Sequence, residues 1–363
     1  MNTRNGAATG SKKATVGQTI MSDLQKVDLH RTLRGDLRDL YNFYLDDESR
    51  ERVAGMGRVK RCIFASLWFL KGMFLKLTPA RRIFLLIALI LSVQLNHPAN
   101  TTAGMLILLL ILILELKDKL LAQDELAAGR AIQFALMPDP SPTIRGWDVW
   151  LFTRPANDVG GDLVDYLRVQ GDRVGLALGD VAGKGFGAAL LMARLQSTLR
   201  AIAPREESVA ALGSQMNRIF CRDAIRSSFA SFMYLEVQPD SGIVRILNAG
   251  HLPAIAVLKD SLTSMPLGGP ALGVLPDTEY FEQQVEIGPG ELLIVYSDGI
   301  TEASNEEAAF FGLQRLMESL AAMRGLSARE VGERLLAKVD EFAGGAKPSD
   351  DISLLILRRL NQP

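Results

Sequence analysis

The sequence predicts an α+β protein, antiparallel sheets with helices packed on them, preceded by an N-terminal transmembrane helical hairpin. Three observations carry this. Uncharged apolar runs are confined to 83–95, "IFLLIALILSVQL", and 103–114, "AGMLILLLILIL". From residue 147 onward, short strand-like segments alternate with turn signals, as around "QGD" at 170–172. Helix-period stretches at 187–203, 208–222 and 312–343 separate those strands.

Taken in order, residues 1–20 are small and polar and read as a disordered tail without signal-peptide features. Residues 21–78 form a cytoplasmic or membrane-surface helical region. Its first part, 21–58, is a charged helix with a stripe of Leu33, Leu37, Leu40, Tyr41 and Tyr44. Its last part, "CIFASLWFLKGMFL" (62–75), holds a lysine and reads as an amphipathic helix on a membrane surface. Residues 79–116 follow as a two-helix membrane hairpin. Each apolar run is shorter than the ~20 residues that cross a ~30 Å hydrocarbon core. Uncharged flanks extend them to Ile83–Pro98 and Ala99–Leu114, around the polar turn "NHPANTT". A buried soluble hairpin is the alternative reading. Lys60, Arg61, Lys71, Lys76, Arg81 and Arg82 precede the first run, Lys117 and Lys119 follow the second, and the turn has no Lys or Arg. Both ends of the hairpin therefore face the cytoplasm.

Residues 117–137 read as a linker helix. Leu116, Leu120, Leu121, Leu126, Ile132 and Leu136 keep a rough helical spacing, which suits a homodimer paired through this helix better than packing on its own domain. The prolines of "MPDPSP" (137–142) end it. Residues 138–363 are expected to form one catalytic domain, with a long helix over 312–343 interrupted near "RGLSAR" and a last strand at 351–359.

Several functions are excluded or disfavoured. The 40 Lys+Arg against 41 Asp+Glu leave a net charge of −1, so no general field recruits nucleic acid. Cys62 and Cys221 stand far apart, and His30, His97 and His251 share no ligand spacing, which argues against a disulfide framework and a zinc site. In "GDVAGKGFGAALL" Lys184 is followed by Gly185 rather than Ser or Thr, so the Walker pattern fails. Gly183, Gly185 and Gly187 give G-x-G-x-G, so the dinucleotide pattern fails as well. His251 in "NAGHLPA" is expected to brace a turn.

Four acidic positions share one context. Asp162 follows "VGG", Asp180 follows "VGLALG", Asp298 follows "LLIVYS", and Asp350 with Asp351 precedes "ISLLIL". A carboxylate beside a core strand is costly unless paired or bound to a cation. Several of them without basic partners nearby in sequence point to a shared hard cation such as Mg²⁺ or Mn²⁺. Asp172 and Asp240 fit ordinary turns. The spacing leaves the role of Asp165 open.

The ordered set "AIQFALMP", "RPANDVGGDLVD", "LALGDVAGKGFGAALLMA", "NAGHLPA", "LGVLP", "GELLIVYSDGITEA", "FFG" and "SDDISLLIL", spanning about 131–359, resembles the metal-dependent protein phosphatases (PPM superfamily), in their bacterial SpoIIE/RsbU-like branch. The resemblance implies an α/β/β/α sandwich with two divalent cations, Mn²⁺ or Mg²⁺. It implies Asp162, Asp180, Asp298 and Asp350 as catalytic metal ligands together with the Val181 carbonyl, with Asp180 bridging and Asp351 behind the ligands. It further implies hydrolysis of phosphoserine or phosphothreonine by a metal-activated water, on a phosphorylated STAS-type anti-sigma-factor antagonist, with the domain in the cytoplasm at a bacterial inner membrane. "SDG" and "DDIS" stand where "TDG" and "DDIT" are common, and neither change removes a ligand. A catalytically weak, partner-binding version of the same fold is the alternative.

Overall fold

A computed structural model describes residue 52 and residues 57–93, 98–222 and 229–360, in two compact units that divide after Lys119. The expected tail at 1–20 and nearly all of the charged helix at 21–58 lie outside the described residues.

The first unit is helical: α1 (Arg58–Lys76), α2 (Pro79–Val93) and the start of α3 (Pro98–Leu136). The expected surface helix lies within α1. The α2 and α3 helices meet where side chains are small. Ala88 is fully buried, and a Cβ on Gly104 would stand 2.9 Å from the Ala88 carbonyl oxygen. Close backbone approach of this kind is how helices associate without a hydrophobic driving force between them. Arg81 of α2 pairs with Glu115 at 2.7 Å and Asp118 at 2.6 Å on α3. A helical hairpin therefore forms, but the expected spans differ in length. Among the described residues one helix, Ala99–Leu136, is long and apolar enough to cross a membrane. The described part of α2, 15 residues, rises about 22 Å at ~1.5 Å per residue.

The second unit is a four-layer sandwich. One antiparallel sheet runs β1 (Trp147–Arg154), β10 (Ile352–Arg359), β9 (Leu292–Tyr296), β6 (Ile255–Val257), β7 (Leu262–Ser264). The other runs β2 (Leu163–Arg168), β3 (Val174–Val181), β4 (Ala230–Val237), β5 (Ile243–Ala249), β8 (Gln283–Glu286). Successive side chains on a strand point to opposite faces, and here both faces are covered. On β10, Leu355 and Leu357 enter the core between the sheets, while Leu354 and Ile356 face the outer core with α7 (Gly312–Ala321) and α8 (Ala328–Ala343). On β3, Leu176 and Leu178 face inward and Ala177 faces α4 (Phe186–Ile202) and α5 (Val209–Arg222). That is why "SLLILRR" reads as one apolar run rather than alternating.

The expected helix over 312–343 is broken where predicted. Gly325 takes φ +83°, and a capping box of Ser327 with Glu330 restarts the chain as α8. The layer order, all-antiparallel pairing and flanking helices match the expected sandwich.

Candidate metal centre

Strand ends converge at one edge of the sandwich. Asp162 precedes β2 and Asp180 lies at the end of β3, and the pairing of Leu163 with Gly179 carries the two acids side by side. Asp298 opens the short helix α6 (Asp298–Thr301) directly after β9. Asp350 and Asp351 precede β10, whose pairing of Leu354 with Tyr296 returns them to the end of β9. Val181 closes β3, and its carbonyl oxygen lies 3.4 Å from where a Cβ on Gly161 would stand. The structure thus brings together all five positions expected to hold metal.

Their electrostatics are those of acids that outnumber the one cation beside them among the described residues, Lys184. Burial, then the charges of Asp180 and Asp351, pushes the Asp162 carboxyl well above its ordinary range. Burial, then Asp298, Asp350 and Asp351, lifts Asp180 to about 7. Asp298 is raised by burial and then by Asp350. The Oδ2 of Asp162 is buried with no hydrogen-bond partner, a state that costs roughly 1–3 kcal/mol or more for a charged group. An oxygen-only anionic donor set with an orphaned oxygen fits a hard divalent cation. Asp180, Asp350, Asp351, Gly161 and Lys184 border a cleft of about 10 Å³, roughly the room one water-sized sphere needs. Among the described residues no three His, Cys, Asp or Glu side chains are already gathered as an ion-holding cluster.

The loop bearing Asp162 is held from two sides. Asp351 is buried and accepts from the amides of Ala156 at 2.8 Å, Gly161 at 2.6 Å and Asp162 at 3.3 Å. A Cβ on Gly160 would stand 2.5 Å from the Asp351 Oδ2, so the missing side chain at Gly160 is the seat of that carboxylate. From the other side, the Gln133 amide donates to the Gly160 carbonyl at 2.8 Å and accepts from the Gly160 N–H at 3.1 Å. Gln196 of α4 donates to the Leu136 carbonyl at 3.0 Å. The end of α3 is therefore bonded both to the acid corner and to α4. Gln133 lies within "AIQFALMP", the first segment of the family resemblance, but its role does not follow from sequence.

Asp165 is engaged by a basic partner. It is fully buried and takes a two-pronged ion pair from Arg200 of α4, at 2.7 Å and 2.8 Å. Removing the guanidinium by Arg200→Ala strands a buried carboxylate. The variant should lose about 2–3 kcal/mol of stability, read as a lower urea midpoint with an unchanged slope. A midpoint equal to wild type would refute this bracing role.

His251 does more than brace its turn. Its backbone N–H donates to Asn248 Oδ1 at 2.8 Å, and Asn248 Nδ2 donates back to its carbonyl at 3.1 Å. Its ring Nε2 lies 3.2 Å from the Tyr296 carbonyl, which can only accept, so Nε2 carries the proton. Nδ1 then accepts from the Ser231 hydroxyl at 2.9 Å. Burial lowers the ring's pKa to about 4, keeping it neutral. Ser231 faces Asp180 across β4, and Tyr296 lies just before Asp298, so the ring ties the two sheets behind the acids. Lys184, the near-miss of the Walker pattern, donates to the Ser349 carbonyl at 2.9 Å and stands 3.4 Å from Asp350. The serines of "SDG" and "DDIS" keep working hydroxyls: Ser297 donates to the Asp351 carbonyl at 3.0 Å and Ser353 to Thr153 at 2.9 Å.

Residues 170–360 match the family described as Stage II sporulation protein E (SpoIIE). Protein IcfG of Synechocystis is 28% identical over 268 residues, covering 65% of this chain and 41% of that protein. The phosphoserine phosphatase RsbU of Bacillus subtilis is 24% identical over 251 residues, covering 67% of this chain and 72% of RsbU. This chain thus spans less than half the length of IcfG. Among solved structures, the SiaA-PP2C domain of Pseudomonas aeruginosa superposes with a TM-score of 0.58 at 21% identity, covering 67% of this chain and 99% of that domain.

Proposed function

The chain belongs to the SpoIIE family, and from that premise we propose that it is a membrane-anchored, metal-dependent protein serine/threonine phosphatase. The observation that carries the reading is the convergence of Asp162, Asp180, Asp298 and Asp350 with a single cation among the described residues, Lys184, beside them, and with one buried carboxylate oxygen of Asp162 orphaned. RsbU and RsbP, both similar to this chain, are named phosphoserine phosphatases. The substrate in this reading is a phosphoserine or phosphothreonine protein, an anti-sigma-factor antagonist of the STAS type in a partner-switching pathway. The long apolar helix supports the anchoring, with the catalytic domain in the cytoplasm, and the linker segment of α3 is the proposed pairing element of a homodimer.

The four carboxylates and the Val181 carbonyl would hold two Mn²⁺ or Mg²⁺ ions. Bound there, such ions supply a water acidic enough to attack near neutral pH and positive charge against the phosphoryl oxygens. The chain's own residues supply order. Asp351 and Gln133 fix the loop that aims Asp162, His251 holds the two sheets in register behind Asp180 and Asp298, and Lys184 places Asp350 and offers a cation at the rim.

The test is Mn²⁺-dependent release of phosphate from a phosphoserine protein; no metal-dependent release from the full chain would refute the reading. A pH signature accompanies it. Below about 7, Asp180 keeps its proton, and an entering cation must displace it. Mn²⁺ affinity should therefore fall by about tenfold per pH unit below that point from this proton alone, and more steeply where the raised Asp162 and Asp298 carboxyls also hold protons. Calorimetric titration across the range checks this, and a flat affinity would count against Asp180 as a ligand.

A further inference from the structure

A second, larger cleft opens beside the acids. It encloses about 340 Å³ and shares Asp350 with the acid cleft, and Gly299 is among its lining residues, so it adjoins that corner. Its room comes from small side chains, Ala303 on one side and Ala343 and Ala346 on the other. Its floor is apolar, made by Val339 and Ile352, both buried. At the mouth, both terminal nitrogens of Arg154 are already satisfied by Asp340, at 3.0 Å and 2.6 Å. None of the proposed chemistry uses this space.

We propose that this cleft seats the polypeptide flanking the phosphoserine, and that an aliphatic side chain of the substrate fills its floor. The inference rests on the phosphatase reading above. An extended chain advances ~3.3 Å per residue. A side chain one or two positions from a phosphoserine held at the acids therefore falls into the space that shares Asp350 with them. There an aliphatic group leaves water for Val339 and Ile352, whereas a cationic one meets Arg154 and Lys347 on the same lining and loses hydration. The cleft is thus a specificity element for sequence context, separate from the group that is hydrolysed.

The experiment uses the full chain with Mn²⁺ and three probes: p-nitrophenyl phosphate and two short phosphoserine peptides, identical except for leucine or glycine beside the phosphoserine. The wild type is expected to favour the leucine peptide by about tenfold in kcat/KM, chiefly through KM, the effect of burying one such side chain. Ala346→Trp, in the loop after α8, should fill the cleft and bring the preference near unity. The aryl phosphate, too small to reach the floor, should lose much less than the leucine peptide. If the wild type turns over both peptides equally, the inference falls while the phosphatase reading stands. If Ala346→Trp leaves the preference intact, the cleft is not its source and the inference also falls. Should none of the three probes be hydrolysed while a phosphoserine protein is, the inference falls; should that protein release no phosphate either, the phosphatase reading itself fails.

Discussion

Asp180→Asn should reduce Mn²⁺-dependent phosphate release at least about 1000-fold, because losing a held cation removes several kcal/mol of charge stabilisation and each 1.36 kcal/mol is tenfold in rate. The variant should nevertheless fold at least as well as wild type without metal. In the metal-free protein Asp180 is raised to about 7 by burial and by Asp298, Asp350 and Asp351, so the fold disfavours its charge. A raised acid binds more protons folded than unfolded, and stability then falls as pH rises from the ordinary carboxylate range to about 7. Asparagine has no such charge to lose, so urea melts in EDTA at pH 8 should show the variant equal to or above wild type. Initial rates at saturating Mn²⁺ give the other half. Retention of more than a tenth of the activity would remove Asp180 from the centre, and a strong loss of stability would make any activity loss uninformative.

The second large effect concerns Gly299. A Cβ there would stand 2.0 Å from the Asp351 carbonyl oxygen and 3.2 Å from that of Asp350. Both obstacles are backbone, so the start of β10 must move and carry two acids with it. Overpacking costs typically 1–3 kcal/mol, and Gly299→Ala is expected near the top of that range. Displacing a catalytic group by about 1 Å can cost 100-fold in rate, and a loss of that order should appear in the folded fraction. Gly332→Ala separates the two consequences. Its Cβ would stand 1.9 Å from the buried Trp150 ring, which lies on the helical side of the first sheet, away from the acids. That variant should be destabilised comparably, yet its folded fraction should hydrolyse substrate normally. If both variants lose activity alike at a temperature where both are folded, the role of Gly299 at the centre is wrong.

The acids were legible in the sequence because each interrupts or abuts an apolar strand, where an unpaired charge has no other explanation. The strands were legible for the same reason, since "LLILRR" and "VGLALG" are buried on both faces. Asp165 was ambiguous because its partner, Arg200, lies 35 positions away on a helix whose facing cannot be read from spacing alone. Gln133 was covered by the segment "AIQFALMP", but its role was not legible, because a single polar residue on a helix reads as solvated until the loop it grips is placed beside it. His251 was read as a turn brace, which Asn248 bears out, but its tie across to Tyr296 depends on the packing of the two sheets.

The empty side-chain position at Gly160 has a consequence for descent. Because the Asp351 carboxylate sits where a Cβ would be, neither residue is free to drift by itself. A lineage that acquires alanine at 160 must first, or at once, shed the carboxylate-sized head at 351, and a shrunken residue at 351 releases the constraint on 160. Two positions 191 apart in the chain should therefore be inherited as a pair. Across descendants their changes should be joint, so that a mismatched pair exists only briefly, as a weakened intermediate.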